Sequence, residues 1–406
     1  MKHFGISLLR RGLFLGQPAS IRKVQSNVFR IVLSNPTTLC SRGYSSTSHE
    51  KGTLVPLPEV KRFILDCMAS VGTAKKHAEE LADVLIAADY RGHYSHGLNR
   101  LEMYVNDIKK GMCDGNAEPS ILKQTAATAF VEGNNGLGPT IGNFCMQLAI
   151  TKAKESGVGW VVAKGSNHYG IAGWYTLQAV QQKLIGLSFT NTSPFLTPTR
   201  SKVPALGTNP LSVAAGGCGE DKFVLDMATT AVAVGKVEIQ RRKNEPIPSG
   251  WALDKEGQIT TDANEAMGAC SMMPLGGGEL NSGYKGYGLA VVVELFCGIM
   301  AGAAYGPKVR KWMSASVAAN LGQCFVAIDP SCFAPNFAER VSDLIHILRT
   351  LEPVDPNKPV LVAGDPERMH MKKVDAFGGV QYHINQINAS RKLAEELKLE
   401  PMKALA

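Results

Sequence analysis

Apolar residues recur at three- and four-residue intervals through residues 58–110: first Val60, Phe63, Ile64, Met68 and Val71, then Ala78, Leu81, Ala82, Leu85 and Ile86. That spacing puts each set on one face of an amphipathic helix, and Gly72-Thr73 separates the two runs. A third helix is expected from Ser95, carrying Leu98, Leu101, Tyr104, Val105 and Ile108 towards a stop at Gly111.

After Pro119 short apolar runs alternate with helical ones. Strands are predicted over residues 126–131, 159–163 and 185–190, and helices over 141–155 and 172–183. A short buried strand at 223–226 leads into a helix through Ala231, Val234 and Val237, and a Gly-, Asn- and Pro-rich loop with one turn at 254–257 covers 241–283. An apolar helix from Tyr287, a strand at 324–328, a helix at 337–350 and a mixed polar helix at 388–397 complete the pattern. Regular alternation of this kind implies an α/β fold, a sheet covered by helices. The most apolar run, residues 288–306, is broken by Glu294 and rich in Gly and Ala, so it predicts a buried helix rather than a membrane span.

Charge changes the picture at the N-terminus. The 406 residues carry a formal net charge of +8, which invites a nucleic-acid partner. Lys2, Arg10, Arg11, Arg22, Lys23, Arg30 and Arg42 precede the first acid, Glu50, and without them the 43 basic residues fall to near parity with the 35 acidic ones. The excess therefore belongs to residues 1–44, a basic, Ser-containing stretch with apolar stripes that predicts a cleavable mitochondrial leader and a matrix location. A nucleic-acid partner loses its motivation with that segment removed. The nine cysteines form no CxxC pair, as expected of reduced and mostly buried thiols.

Two segments concentrate chemistry. In Asp89-Tyr90-Arg91-Gly92-His93-Tyr94-Ser95-His96-Gly97-Leu98-Asn99-Arg100, a helix capped by Ser95 would set His96 and Arg100 one turn apart. An arginine fork holds a carboxylate at two points while an imidazole moves a proton near neutrality, which suits a 2-oxo acid. The competing local readings are a plain helix cap and a metal site at Asp89, His93 and His96, the latter without a supporting signature. The second segment, Gly165-Ser166-Asn167-His168-Tyr169-Gly170, follows a strand and opens a helix, where open α/β sheets form ligand crevices. Asn191-Thr192-Ser193-Pro194 ends the next strand in the same way. No GxGxxG or GxxxxGK[ST] is present, so neither a Rossmann site nor a P-loop is supported. Gly276-Gly277-Gly278, Lys285 and Gly322-Gln323 remain as elements able to meet an anionic cofactor.

The ordered series RGHYSHGLNR, GNNGLGP, GSNHYGIAGWY, SFTNTSP, ALGTNPLSVA, FVLDMATT and GYKGYGLAVVVELFCG resembles the type-2 malate/L-lactate dehydrogenase family, which includes sulfolactate, ureidoglycolate and diketogulonate oxidoreductases. The resemblance implies a family-specific, non-Rossmann NAD(P)-binding fold with a helical domain formed by N- and C-terminal parts. Its expected layout is a helical region at 50–120, a nucleotide- and substrate-binding region at 121–310, and a C-terminal region at 311–406 returning to the helical domain. It further implies a homodimer, NAD or NADP as cofactor, no metal, and hydride transfer between nicotinamide and a small 2-hydroxy or 2-oxo acid. Malate/oxaloacetate is the expected substrate, with lactate, sulfolactate, ureidoglycolate or diketogulonate, or a non-catalytic scaffold, as alternatives. By resemblance His96 exchanges the proton, Arg100 binds the carboxylate, and His168 matches a histidine given the acid/base role in some members. Ser193, Asp226, Met227, Ala228, Lys285, Gly322 and Gln323 match or adjoin cofactor-binding segments. For NADP, the cluster Arg241-Arg242-Lys243 is the candidate contact to a 2′-phosphate.

Overall fold

The N-terminal helical periodicity is realised in a computed structural model that describes residues 52–312, 314 and 316–405, without the side chains of Arg242 and Lys243; the expected leader lies outside the described residues. After strand β1 (Thr53–Val55) come helices α1 (Leu57–Ser70) and α2 (Lys75–Tyr90), followed by α3 (Leu101–Lys109). Pro58 in the first turn of α1 costs no hydrogen bond, and Gly72, at φ 79°, makes the bend before α2.

The second layer is built on a seven-stranded sheet. In chain order its strands are β2 (Ser120–Gln124), β3 (Thr128–Glu132), β4 (Val158–Ser166), β5 (Ile185–Thr190), β6 (Leu211–Gly216) and β7 (Lys222–Met227), with a later strand from beyond residue 320. Helices α4 (Gly138–Ser156) and α5 (Gly173–Gln181) cover one face, burying Ile141, Met146, Tyr169 and Tyr175 against Phe325. Between β7 and the other face runs the segment expected as a loop. After α6 (Val234–Lys243), which realises the helix expected through Val234 and Val237, it holds a small sheet of β8 (Ala252–Leu253), β9 (Ile259–Thr260) and β10 (Ser271–Met272), with α7 (Ala263–Ala269) before β10. These strands are two residues long, too short to show alternation in sequence.

Helix α8 (Gly283–Glu294) continues as a single π turn, Leu295–Ile299, and covers the second face through Val293, Phe296 and Cys297. The prediction of a wholly buried helix is corrected here: Val292, Leu295, Ile299 and Met300 are exposed. Strand β11 (Leu321–Ile328) then enters the middle of the sheet, antiparallel to both β4 and β5, giving the order β2-β3-β4-β11-β5-β6-β7. Within this sheet, among the described residues, β3 and β4 pair in parallel and the other neighbours antiparallel. The chain thus crosses the central sheet again after residue 310 before it returns to the helical layer.

Helix α9 (Phe337–Arg349) packs beside β6 and β7, and the return then uses α10 (Asp365–Phe377), β12 (Val380–Tyr382) and α11 (Ile384–Leu397). Strand β12 pairs with β1, and Val374, Val380, Tyr382, Ile387 and Leu393 share one core with Phe63, Leu81 and Leu101. Cys67, Cys113, Cys145, Cys297 and Cys324 are buried free thiols, while Cys218, Cys270 and Cys332 are exposed. No described helix is long and apolar enough to cross a membrane.

Candidate active site

The segment after α2 departs from the expected helix. Two 3-10 turns, Tyr94–His96 and Leu98–Arg100, precede α3, and Ser95 caps nothing. Its hydroxyl instead lies 2.9 Å from His96 Nδ1, and its carbonyl accepts from Arg100 Nε at 2.6 Å. The cause is Asp89, a buried carboxylate at the end of α2. Asp89 Oδ2 accepts from Leu98 N–H at 2.9 Å and from the Tyr382 hydroxyl at 2.6 Å, which draws the backbone inward. A side chain at position 97 would collide with the Asp89 carboxylate, so the glycine of the Ser-His-Gly motif is a packing requirement.

His168 enters from the loop after β4. Tyr104 of α3 places its hydroxyl 2.6 Å from His168 Nδ1, and Gly170 N–H donates to the same nitrogen at 3.3 Å. A backbone N–H can only donate, so Nδ1 is the acceptor and the ring proton sits on Nε2. Gly138, in the GNNGLGP motif, lies so close beneath this loop that a Cβ would collide with the carbonyls of Asn167 and His168.

The two imidazoles stack with centroids 5.6 Å apart and planes 21° from parallel. Arg100 holds its guanidinium carbon 5.0 Å from the ring centroid of Trp312, which also flanks His168 at 6.0 Å. Burial, reinforced by the Arg100 charge, pushes His96 down to about 3, and burial with the neighbouring His96 and Arg100 holds His168 well below the usual imidazole range. Both rings are therefore neutral at physiological pH, each able to donate one N–H and to accept at the other nitrogen.

His96, Arg100, His168, Ser193, Asp226, Met227 and Ala228 all line one cavity of about 210 Å³. Lys285, Gly322 and Gln323 do not. Lys285 is exposed on α8. The buried Gln323 amide accepts from Ser166 Oγ at 2.8 Å and donates to Asn167 O at 3.0 Å, so it steadies the His168 loop. At position 322 a Cβ would meet the backbone of Cys297, and the Gly322 N–H donates to Asn191 Oδ1 at 2.9 Å. Asp226 turns Oδ2 to the Gly173 N–H at 2.6 Å, and Ser193 Oγ donates to Arg310 O at 2.6 Å. Tyr104 and Trp312 went unseen in the sequence, the first because it fits the apolar stripe of α3 and the second because no pattern surrounds it. Among the described residues no cluster of His, Cys, Asp and Glu is arranged to hold a metal ion.

The cavity wall suits a nicotinamide nucleotide. Ile171, Phe195, Met227, Val234 and Leu321 offer apolar surface, Thr192, Ser193 and Thr208 supply hydroxyls, and the uncapped start of α6 presents Val234 and Gly235. Fold, cavity and related proteins define an NAD(P)-dependent oxidoreductase of 2-hydroxy and 2-oxo acids that has no Rossmann fingerprint. The chain belongs to the malate/L-lactate dehydrogenase family, which it matches over residues 55–389. It is 40% identical over 300 residues to a malate dehydrogenase of Pyrococcus horikoshii, covering 73% of this chain and 82% of that one. A malate/(S)-sulfolactate dehydrogenase of Methanothermus fervidus is 37% identical over 346 residues, 84% of this chain and 98% of the other. The crystal structure of malate dehydrogenase from Entamoeba histolytica superposes with a TM-score of 0.82 at 32% identity, covering 86% of this chain and 99% of that one.

Proposed function

We propose that the protein is a mitochondrial, NAD-dependent malate dehydrogenase that interconverts malate and oxaloacetate. One observation carries this reading: two neutral, stacked imidazoles and an arginine converge on one cavity. When bound there, the nicotinamide supplies or accepts the hydride at C2 of the acid.

Within that frame Arg100 binds the C1 carboxylate, its plane held by Trp312 and by the bond from Nε to Ser95 O. His168 is the acid/base group: its Nδ1 is anchored, and in reduction its Nε2–H passes the proton to the C2 alkoxide as hydride arrives. This leaves a ring whose negative charge the Tyr104 and Gly170 donors at Nδ1 stabilise, while oxidation returns the hydroxyl proton to Nε2. A neutral imidazole N–H can polarise a carbonyl without being an imidazolium beforehand. His96, stacked on His168 and bonded to Ser95, fixes the ring's position and narrows the cavity.

The acid-free basic leader supports import into the matrix, and it accounts for the excess of positive charge in the sequence. NAD is favoured over NADP because Arg241, at the far end of α6, is exposed and does not line the cavity. The exposed stripe Val292, Leu295, Ile299 and Met300 supports a homodimer. No nucleic-acid role is proposed.

The test is reduction of a panel of 2-oxo acids by purified protein with NADH or NADPH, followed by nicotinamide absorbance. The expected order is oxaloacetate above 3-sulfopyruvate and pyruvate, with NADH preferred. Absence of turnover with every acid sinks the dehydrogenase assignment, and preference for pyruvate sinks the choice of malate.

A further inference from the structure

The cavity contains one basic side chain that the reaction does not use. His93 follows α2 after the left-handed Gly92 and lines the same wall as His96, Arg100 and His168. It also lines a smaller pocket directly behind, with Arg91, Asp226, Glu367 and Arg368. His93 Nε2 stands 3.5 Å from Glu367 Oε1 of α10, and both side chains are partly buried, 30% and 24% exposed. Glu367 is committed to this neighbourhood: its second oxygen is buried and has no hydrogen-bond partner.

The charged and titratable groups around His93 are Glu367 and Arg368 from α10, Asp226 from β7, and Arg91 and His96 from its own segment. Asp226 is the sole acid on the main cavity wall, and one of its oxygens is turned to the Gly173 N–H. An oxo acid with a single carboxylate is answered by Arg100 and a histidine. A second anionic group at the far end requires another positive or donating partner, since burying it unpaired is costly. Among the side chains of the wall, His93 is the remaining candidate that can carry positive charge.

We propose that His93 selects 2-oxo acids bearing a second anionic group, donating a hydrogen bond to that group from a ring held by Glu367 on the protein side. The proposal rests on the dehydrogenase reading above and refines it to dianionic acids, whether the far group is a carboxylate or a sulfonate. The Glu367 carboxylate, 3.5 Å from His93 Nε2, fixes the direction of the ring, so Glu367 is a positioning residue and His93 the contact. Specificity then follows from pairing: a carboxylate or sulfonate accepts a stronger hydrogen bond from His93 than a neutral far end does.

The test compares full-length wild type with His93→Leu, His93→Gln and Glu367→Gln, using oxaloacetate, 3-sulfopyruvate, pyruvate and 2-oxosuccinamate, the uncharged amide counterpart of oxaloacetate. Wild type should favour the two dianions over pyruvate and the amide. In His93→Leu the kcat/KM ratio of oxaloacetate to 2-oxosuccinamate should fall at least about tenfold, chiefly through KM, as the loss of one charged contact implies. His93→Gln, which keeps a donor, and Glu367→Gln should fall in the same direction by less. Equal losses on all four acids, or an unchanged ratio in soluble His93→Gln and His93→Leu, overturn the proposal while leaving the dehydrogenase standing. Oxaloacetate favoured over sulfopyruvate, or the reverse, identifies the far group. A wild type inert to every acid removes both readings together.

Discussion

Tyr104 sets its hydroxyl 2.6 Å from Nδ1 of His168, behind a ring that stacks on His96. Burial raises the Tyr104 phenol far above its ordinary range, so it stays protonated at any working pH. It can therefore anchor His168 without entering the chemistry. Tyr104→Phe keeps the packing and removes the anchor. A lost hydrogen bond of about 1.4 kcal/mol predicts a roughly tenfold fall in kcat, with KM little changed. Steady-state kinetics with oxaloacetate measures it, and an unchanged kcat shows that the Tyr104 contact has no part in catalysis.

The stacked histidines are told apart by their partners. If His168 moves the proton, His168→Ala should reduce kcat by about a hundredfold or more, the usual scale of a general acid/base group. His96→Ala removes a packing partner and should cost less at saturating substrate. Measuring both under saturating cofactor decides the assignment, and the opposite order transfers the proton to His96.

Arg100→Lys retains the charge but removes the planar fork and much of the contact with Trp312. The expected outcome is a rise in KM for the oxo acid of about tenfold or more, larger than any change in kcat. Kinetic constants unaffected by the lysine would exclude Arg100 from carboxylate binding.

Five of the seven strands and the covering helices were legible from their apolar runs, with β5 matching its prediction and α1, α2, α4 and α9 close to theirs, while β2, exposed along its length, and β6 were not seen. His96, Arg100 and His168 were legible as residue types, but their meeting was not. It depends on contacts far apart in the chain, such as Tyr382 on Asp89 and Tyr104 on His168. The helix expected from Ser95 forms only from Leu101 for the same reason, since Asp89 takes the Leu98 N–H and bends residues 94–100 into 3-10 turns. Gln323 was placed by resemblance among cofactor contacts, yet its amide is occupied at the back of the His168 loop.

The exposed stripe on α8 and its π turn supplies a fourth test. Replacing Leu295 with Lys places a charge on a surface that a homodimer would bury. The expected result is a mass near that of one chain by light scattering, against two for wild type. A wild-type protein already at the mass of one chain removes the dimer from the proposal.

Asp89 predicts how stability should vary with pH. Burial pushes its carboxyl up to about 7, against an ordinary value near 3.8, although Tyr382 and Leu98 both donate to it. The folded state therefore holds a proton that the unfolded chain has already released. Through the window between about pH 4 and 7 the folded form binds more protons, so this contribution is complete below about pH 4, declines as pH rises and is lost above about 7. At 1.36 kcal/mol per unit, the swing is at most about 4 kcal/mol. Asp89→Asn cannot titrate but retains an oxygen to accept from Leu98 and Tyr382, while its amide replaces the oxygen that lacks a partner. The variant should be less stable than wild type at pH 5, and the gap should close or reverse at pH 8. Chemical denaturation of both proteins at the two pH values measures this, and because every other titrating group is common to them, a difference that stays constant with pH rejects Asp89 as the source.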